Sequence, residues 1–246
     1  MKSYSITDVG RVRSQNQDYV FASDTPVGKL ANLFVVADGM GGHRAGDRAS
    51  SCAVSVFVSS VKKSKDRNPV NIMRKALEKA NASVYKEANS SQALQGMGTT
   101  IVSATIDKDT LYVANIGDSR LYLLRDKNIR QITRDHSLIE EMIRIGGITR
   151  EEGRFHPDRN VITRAVGVRE SVEADFFDET VKENDILLLC SDGLSNMVED
   201  DEIKEIISNA PDLESAANRL VKKANENGGR DNITVLLAKV NEVEKC

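Results

Sequence analysis

The sequence predicts an α+β fold in which strands come in blocks instead of alternating singly with helices. Two observations carry this: strand-length runs of alternating or wholly apolar residues cluster along the chain, and pairs of segments with apolar residues three and four apart interrupt them. A third observation bounds the answer. The 246 residues suffice to bury about 70% of the unfolded surface. They contain no internal repeat and no low-complexity linker, and the prolines are scattered at Pro26, Pro69, Pro157 and Pro211. A single domain over residues 1–246 is expected.

The elements follow in order. Tyr4 and Ile6 alternate with Ser3, Ser5 and Thr7, as in a strand with one buried face. A second strand is expected near residues 19–22. A third is expected over residues 30–37, apolar nearly throughout, as in a strand covered on both faces. Helices are predicted over residues 45–62 and 70–88, the latter with Ile72, Ala76, Ala80 and Val84 on one face. Strands return at 99–106, 111–115, 121–125 and 129–132, the middle two reading as a hairpin around Gly117-Asp118-Ser119. Ser137 with Glu140 forms a capping box for a short helix ending at Gly146-Gly147, and Thr149 with Glu152 repeats the cue. Strands near 172–177 and 185–190 precede two helices. One starts near Asp200 and stops before Pro211; the other runs from Asp212 to Gly228-Gly229. A last strand covers residues 233–240.

Composition excludes several classes. With 40% hydrophobic and 29% charged residues the chain is not disordered. Lys+Arg total 34 against 37 Asp+Glu, a net charge of −3, which lacks the basic footprint of a nucleic-acid binder. No apolar run approaches the length of a membrane helix, so no membrane insertion is expected. The first ten residues, MKSYSITDVG, hold no apolar signal core. Cys52, Cys190 and Cys246 are too few and odd in number for a disulfide framework. A cytoplasmic location follows as the expectation, which makes the N-x-Ser/Thr patterns at Asn81, Asn89 and Asn232 chance matches.

The chemistry lies in aspartates at strand ends. Apolar runs lead into Asp38-Gly39, Gly117-Asp118 and Asp192-Gly193, while Asp18 and Asp231 stand immediately before strands. A single Asp-Gly is ordinary turn chemistry. Recurrence changes the reading, because strand ends of one sheet can converge. Two carboxylates about 4 Å apart repel by about 4 kcal/mol at an effective dielectric near 20. Such a cluster calls for a cation, and oxygen-only ligands favour Mg²⁺, Mn²⁺ or Ca²⁺ over zinc.

Other chemistries fail on inspection. Gly39-Met40-Gly41-Gly42 is either a flexible helix start or a loop that brings backbone close to a metal or phosphate. It is no dinucleotide fingerprint, since Arg44 stands at the third glycine position, and no P-loop exists. A cysteine phosphatase needs Arg six positions after Cys; Cys52 meets Val58 and Cys190 meets Asn196. His43, His136 and His156 show no zinc-hydrolase spacing. Arg13 is either a solvated surface residue or, near a metal site, a bidentate phosphate clamp.

In ordered blocks over nearly the whole chain, the sequence resembles the metal-dependent Ser/Thr protein phosphatases of the PPM type, compact bacterial form. The blocks are Asp8-x-Gly10-x-x-Arg13-x-x-Asn16-Gln17-Asp18, Asp38-Gly39-Met40-Gly41-Gly42-His43, Gly98-Thr99-Thr100, Gly117-Asp118-Ser119-Arg120, Ser191-Asp192-Gly193-Leu194 and Gly229-Arg230-Asp231-Asn232. The resemblance implies a four-layer α-β-β-α sandwich of two antiparallel sheets, and a centre of two Mn²⁺ or Mg²⁺ ions with a third as an addition. By motif, Asp38 bridges the two ions, Asp192 and Asp231 complete the first site, and the Gly39 carbonyl and Asp18 serve the second. A third ion maps to Asp118 and Asp192, with Asp158 a further candidate ligand. Arg13 matches the phosphate-binding Arg.

The implied reaction is hydrolysis of phosphoserine and phosphothreonine in proteins by metal-activated water, without a phosphoenzyme. The implied partners are phosphoproteins, including a Ser/Thr kinase that the enzyme opposes, and the implied state is a monomer. A catalytically weak pseudophosphatase or partner-switching module is the alternative, disfavoured because Asp38, Asp192 and Asp231 are all present. Two positions depart from the family pattern. Met40 replaces the His of animal members that is a candidate general acid, leaving metal-bound water or His43 as proton donor. Gln17 stands where many relatives carry Glu. Residues 136–160 correspond to a variable flap expected to affect substrate access.

Overall fold

A strand that is apolar at every position needs cover on both faces, and Leu33 to Ala37 finds it. In the computed structural model, which describes residues 1–41 and 45–241, the strands are β1 (Lys2–Asp8), β2 (Asp18–Ser23), β3 (Leu33–Met40), β4 (Gly98–Thr99), β5 (Ile101–Asp107), β6 (Thr110–Ile116), β7 (Arg120–Arg125), β8 (Asn128–Gln131), β9 (Asp175–Thr180), β10 (Ile186–Cys190) and β11 (Ile233–Lys239). The α-helices are α1 (Ala45–Lys63), α2 (Pro69–Ala88), α3 (Leu138–Arg144), α4 (Arg150–Phe155), α5 (Asp192–Ser195), α6 (Asp200–Ser208) and α7 (Leu213–Glu226). One sheet has the order β1-β11-β10-β7-β8. The other has β2-β3-β5-β6-β9, with β4 pairing on β3. Every pairing between strands is antiparallel.

Strand alternation sorts the apolar residues into three layers of core. Phe34, Val36, Val102, Val113, Leu121, Leu123, Leu187, Leu189 and Leu236 meet between the two sheets. Leu33, Val35 and Ala37 turn the other way, against Ala49, Ala53, Phe57 and Val61 of α1 and Ile72, Ala76 and Ala80 of α2. On the far side Leu188, Cys190, Val235 and Leu237 pack on Ile203 and Ile207 of α6 and Ala217, Leu220 and Ala224 of α7. The four-layer sandwich is therefore borne out, and each layer follows from a period of two in a strand meeting a period of 3.6 in a helix. Both α2 and α7 start on a side-chain cap. Asn68 accepts from the Asn71 amide ahead of Pro69, and Asp212 accepts from that of Ser215.

Some boundaries differ from expectation. Gly117-Asp118-Ser119 is no hairpin turn: β6 and β7 lie in different sheets, and these residues carry the chain from one to the other. The hairpins are instead β5–β6 and β7–β8. The latter turns through Asp126 and Lys127, both at positive φ, the twist-matched geometry for a two-residue turn. β3 runs on through Asp38 to Met40, because Asp38 pairs with Asp18 and Gly39 with Thr99. Thr100 divides β4 from β5, where one strand was expected. β9 starts at Asp175, not near Val172. The complete capping box is the one at Thr149 and Glu152; Ser137 only accepts from the Glu140 amide.

Candidate metal and phosphate site

The inward register of the inter-sheet core changes from carbon to oxygen at one end. Along β3, Phe34 and Val36 are followed on the same face by Asp38. Along β2, Val20 is preceded by Asp18, and along β11, Leu236 is preceded by Thr234 and Asn232. Asp18 and Asp38 are paired across β2 and β3, so two carboxylates face one another by the geometry of the ladder alone. The opposing sheet brings Ser191 at the end of β10, Asp192 in the first turn of α5, and Asp231 ahead of β11.

Close backbone packing holds the parts together. A Cβ on Gly193 would lie 1.9 Å from the Asn232 carbonyl oxygen, and one on Gly39 2.1 Å from that of Gly46 at the start of α1. Only glycine lets these segments meet. Asn232, nearly fully buried, donates to the Val9 carbonyl at 3.0 Å and that of Gln15 at 2.9 Å, and accepts from the Gln17 amide at 2.8 Å. This side chain fastens the 9–17 loop to the Asp231 turn. Thr99 and Thr100 hold Asp38 from the other side: the Asp38 amide donates to Thr100 Oγ1, and Thr99 Oγ1 donates to the Asp38 carbonyl.

The electrostatics are those of crowded acids. Burial pushes the Asp18 carboxyl up to about 7, against two hydrogen bonds that favour the anion, from Ser191 Oγ and Thr234 Oγ1, each 2.7 Å from its Oδ2. Asp38 lies well above the carboxylate range, through burial first and then repulsion from Asp18, Asp192, Asp118 and Asp231. Asp118 is also raised, by burial and by Asp192 and Asp135. Asp192 rises to about 6 through burial and the charge of Asp231, and is eased by a hydrogen bond from Asp38. Arg13 reaches in from the 9–17 loop, its guanidinium 2.8 Å from Asp231 Oδ2, and this bond raises its already high pKa.

All of the sequence-derived site residues, Arg13, Asp18, Asp38, Gly39, Asp118, Asp192 and Asp231, are thus gathered at one end of the sandwich. Asp158 is not: it is exposed and its nearest ionic partner is His156 at 3.8 Å. His43 lies outside the described residues. Residues that the spacing did not single out include Ser191 and Thr234, which orient Asp18, and His136. His136 is buried; its Nδ1 accepts from the Gly117 amide at 3.1 Å, and its amide donates to the Gly117 carbonyl. The signal for Ser191 and Thr234 was present, as polar residues on the inner face of otherwise apolar strands.

Among the described residues no three His, Cys, Asp or Glu side chains close on one point as a finished metal cage. The donor set nevertheless fits hard divalent ions, which take few carboxylates and keep several waters. Asp18 Oδ1 and Asp192 Oδ1 are buried with no hydrogen-bond partner, and an unpartnered buried carboxylate oxygen is a costly feature that a cation relieves. The ligand atoms are all oxygens. Cys190, the nearby thiol, is wholly buried, and burial pushes it up to about 12, so it is inert as a nucleophile.

Fold and site together define a metal-dependent phosphatase. The family model of protein phosphatase 2C matches residues 3–233. The chain is 41% identical over 243 residues to the serine/threonine phosphatase stp of Listeria welshimeri, covering 97% of this chain and 96% of that protein. The solved serine/threonine phosphatase of S. agalactiae superposes with a TM-score of 0.91 at 35% identity, over 98% of this chain and 99% of that one. The catalytic domain of the phosphatase PstP, solved in complex with two manganese ions, superposes with a TM-score of 0.87 at 33% identity, over 98% of each chain. The chain belongs to the protein phosphatase 2C family. It is a metal-dependent protein serine/threonine phosphatase, acting on phosphoproteins.

Proposed function

We propose that residues 1–246 form one catalytic domain that hydrolyses phosphoserine and phosphothreonine at the end of the inter-sheet core, using two Mn²⁺ or Mg²⁺ ions. Asp38, Asp192 and Asp231 hold the first ion, and Asp38, the Gly39 carbonyl and Asp18 the second. Asp118 with Asp192 holds a third, weaker one. The observation that carries this is the meeting of Asp18 and Asp38 from one sheet with Asp192 from the other, with buried carboxylate oxygens left unpartnered. When bound, such ions supply a water nucleophile at neutral pH and offset charge on the phosphoryl oxygens.

The chain's own residues do the rest. Ser191 and Thr234 keep Asp18 oriented by hydrogen bonds that favour its anion. Thr99 and Thr100 fix the Asp38 backbone. Arg13, half exposed and tethered through Asp231, presents a forked donor to the phosphate oxygens at the mouth of the site. Met40 has no titratable proton to give, so water held at the site would protonate the leaving oxygen, with His43 the alternative donor. The enzyme works as a cytoplasmic monomer opposing a Ser/Thr kinase; Cys52 and Cys190 are unpaired, as that compartment favours.

The test is turnover of p-nitrophenyl phosphate and of a phosphothreonine peptide with Mn²⁺, with and without EDTA. Turnover is expected only with the metal. Asp38→Ala and Asp192→Ala are expected to abolish it, and Asp118→Ala to weaken it while two ions stay bound. Full activity in Asp38→Ala overturns the site assignment.

A further inference from the structure

A second concave surface, not lined by Asp118, meets the end of β3 at Met40. It is a cavity of about 570 Å³ whose apolar walls are Met40, Ile162, Ala165, Val168 and Val172. Met40 is the last residue of β3, directly after Gly39 and two residues beyond Asp38, so the cavity and the proposed site share one strand end. Val168 is 48% exposed, an apolar side chain left in solvent at the rim. The Met40 Cε and a Val168 methyl converge over Gly98: a Cβ there would lie 3.1 Å from one and 2.7 Å from the other.

The wall is rigid. Residues 165–170 are strapped to β4 by reciprocal hydrogen bonds between Thr99 and Val166, and Thr99 is the residue whose hydroxyl holds the Asp38 carbonyl. From beneath, the buried Asn81 accepts from the Gly167 amide at 2.7 Å and donates to the carbonyls of Arg169 and Glu170 at 3.1 Å and 3.0 Å. Three hydrogen bonds to one buried side chain fix a loop that exposes Val168, Arg169 and Glu170. Gly167 sits at φ +90, and a Cβ would strike Val84 at 2.2 Å, so the strap lies flat on α2 and turns Val168 outward. Arg164 is engaged by Asp175 at 2.8 Å, and the remaining charged lining carries both signs, Arg169 with Glu141 and Glu173, so the apolar side chains form one part of a mixed wall.

We infer that this cavity is a specificity subsite that takes an apolar side chain next to the phosphorylated Ser or Thr of a protein substrate, with Val168 as a specificity-determining residue. The inference rests on the proposed active site. A residue adjacent to the phosphorylated one lies about 3.8 Å further along the substrate chain, within reach of a cavity that starts one residue after Gly39. Apolar recognition of a single side chain discriminates by about tenfold or somewhat more.

The experiment compares phosphothreonine peptides that carry Leu or Asp on either side of the phosphorylated residue, with p-nitrophenyl phosphate as a substrate too small to reach the cavity. The wild type with Mn²⁺ is expected to favour a Leu-flanked peptide about tenfold in kcat/KM. Val168→Asp is expected to erase that preference through KM, with p-nitrophenyl phosphate turnover within about twofold of wild type. Val168→Ala should show a smaller loss in the same direction. Three results overturn the inference: an unchanged Leu preference in Val168→Asp, a wild-type preference for Asp, or a wild-type dimer that Val168→Asp dissociates. No metal-dependent p-nitrophenyl phosphate turnover by the wild type overturns the active-site reading itself, and the subsite with it.

Discussion

Asp18 shows most directly how a single residue couples the site to stability. Burial holds its carboxyl at about 7, against 3.8 ordinarily. The folded metal-free protein therefore keeps a proton between those values that the unfolded chain has released. Its stabilising contribution is complete below about pH 4 and is lost as pH rises to about 7, at up to about 1.4 kcal/mol per pH unit for one group. Asp192, raised to about 6, acts in the same sense. His136, whose pKa burial lowers, acts in the opposite sense up to about pH 6.5. Urea midpoints of EDTA-treated protein should fall between pH 5 and pH 7, and Asp18→Asn should flatten the slope. A steeper slope in Asp18→Asn would contradict the assignment. Arg13 offers a second residue-scale prediction. Losing a charge-assisted hydrogen bond to phosphate costs about 1.5–3 kcal/mol, so Arg13→Ala should lower kcat/KM about 10- to 100-fold with metal affinity nearly unchanged, as read by titration calorimetry.

At the scale of elements, the joint between α5 and β11 is the tightest contact in the site. Gly193→Ala sets a methyl group against the Asn232 carbonyl, where backbone must move. A loss of about 1–3 kcal/mol or more is expected, read as a lower denaturant midpoint, and with it a loss of turnover as Asp192 shifts relative to Asp231. The elements also show what sequence patterns could reveal. Long helices with periodic apolar faces and the doubly covered β3 were legible because burial acts on every residue in them. Asp38, Asp118 and Asp192 were legible because each follows an apolar run beside glycine, and Asp18 and Asp231 because each stands at the start of a strand. The crossover at Gly117-Asp118-Ser119 was not, since a tight turn and a sheet-to-sheet passage use the same residue types, and only the partners of β6 and β7 tell them apart. The four-residue α5 is too short to carry periodicity, and β9 is half-buried with an irregular pattern.

For the whole molecule, the net charge of −3 omits the cations the site is built to hold. Ligands that bind only the folded state stabilise it by about 2.7 kcal/mol at a hundred times Kd. For a chain of this size that is roughly 5–10 °C in Tm. Saturating Mn²⁺ should raise Tm by about this much over EDTA-treated protein, and Asp38→Ala should abolish most of the rise. An equal rise in Asp38→Ala would mean that the stabilising ion sits elsewhere.

The placement of β11 has a consequence for biosynthesis. The strand nearest the end of the described chain is not an edge: it lies between β1 and β10, in register with both, and the residues just ahead of it are Asp231 and Asn232. While the ribosome still holds that stretch, β1 lacks the neighbour on which it pairs, and Asp38 lacks a carboxylate from the opposite sheet. A nascent chain is therefore expected to gain activity only once this stretch has left the ribosome, and a chain ending before Ile233 is expected to show no turnover, because the gap falls in the middle of a sheet.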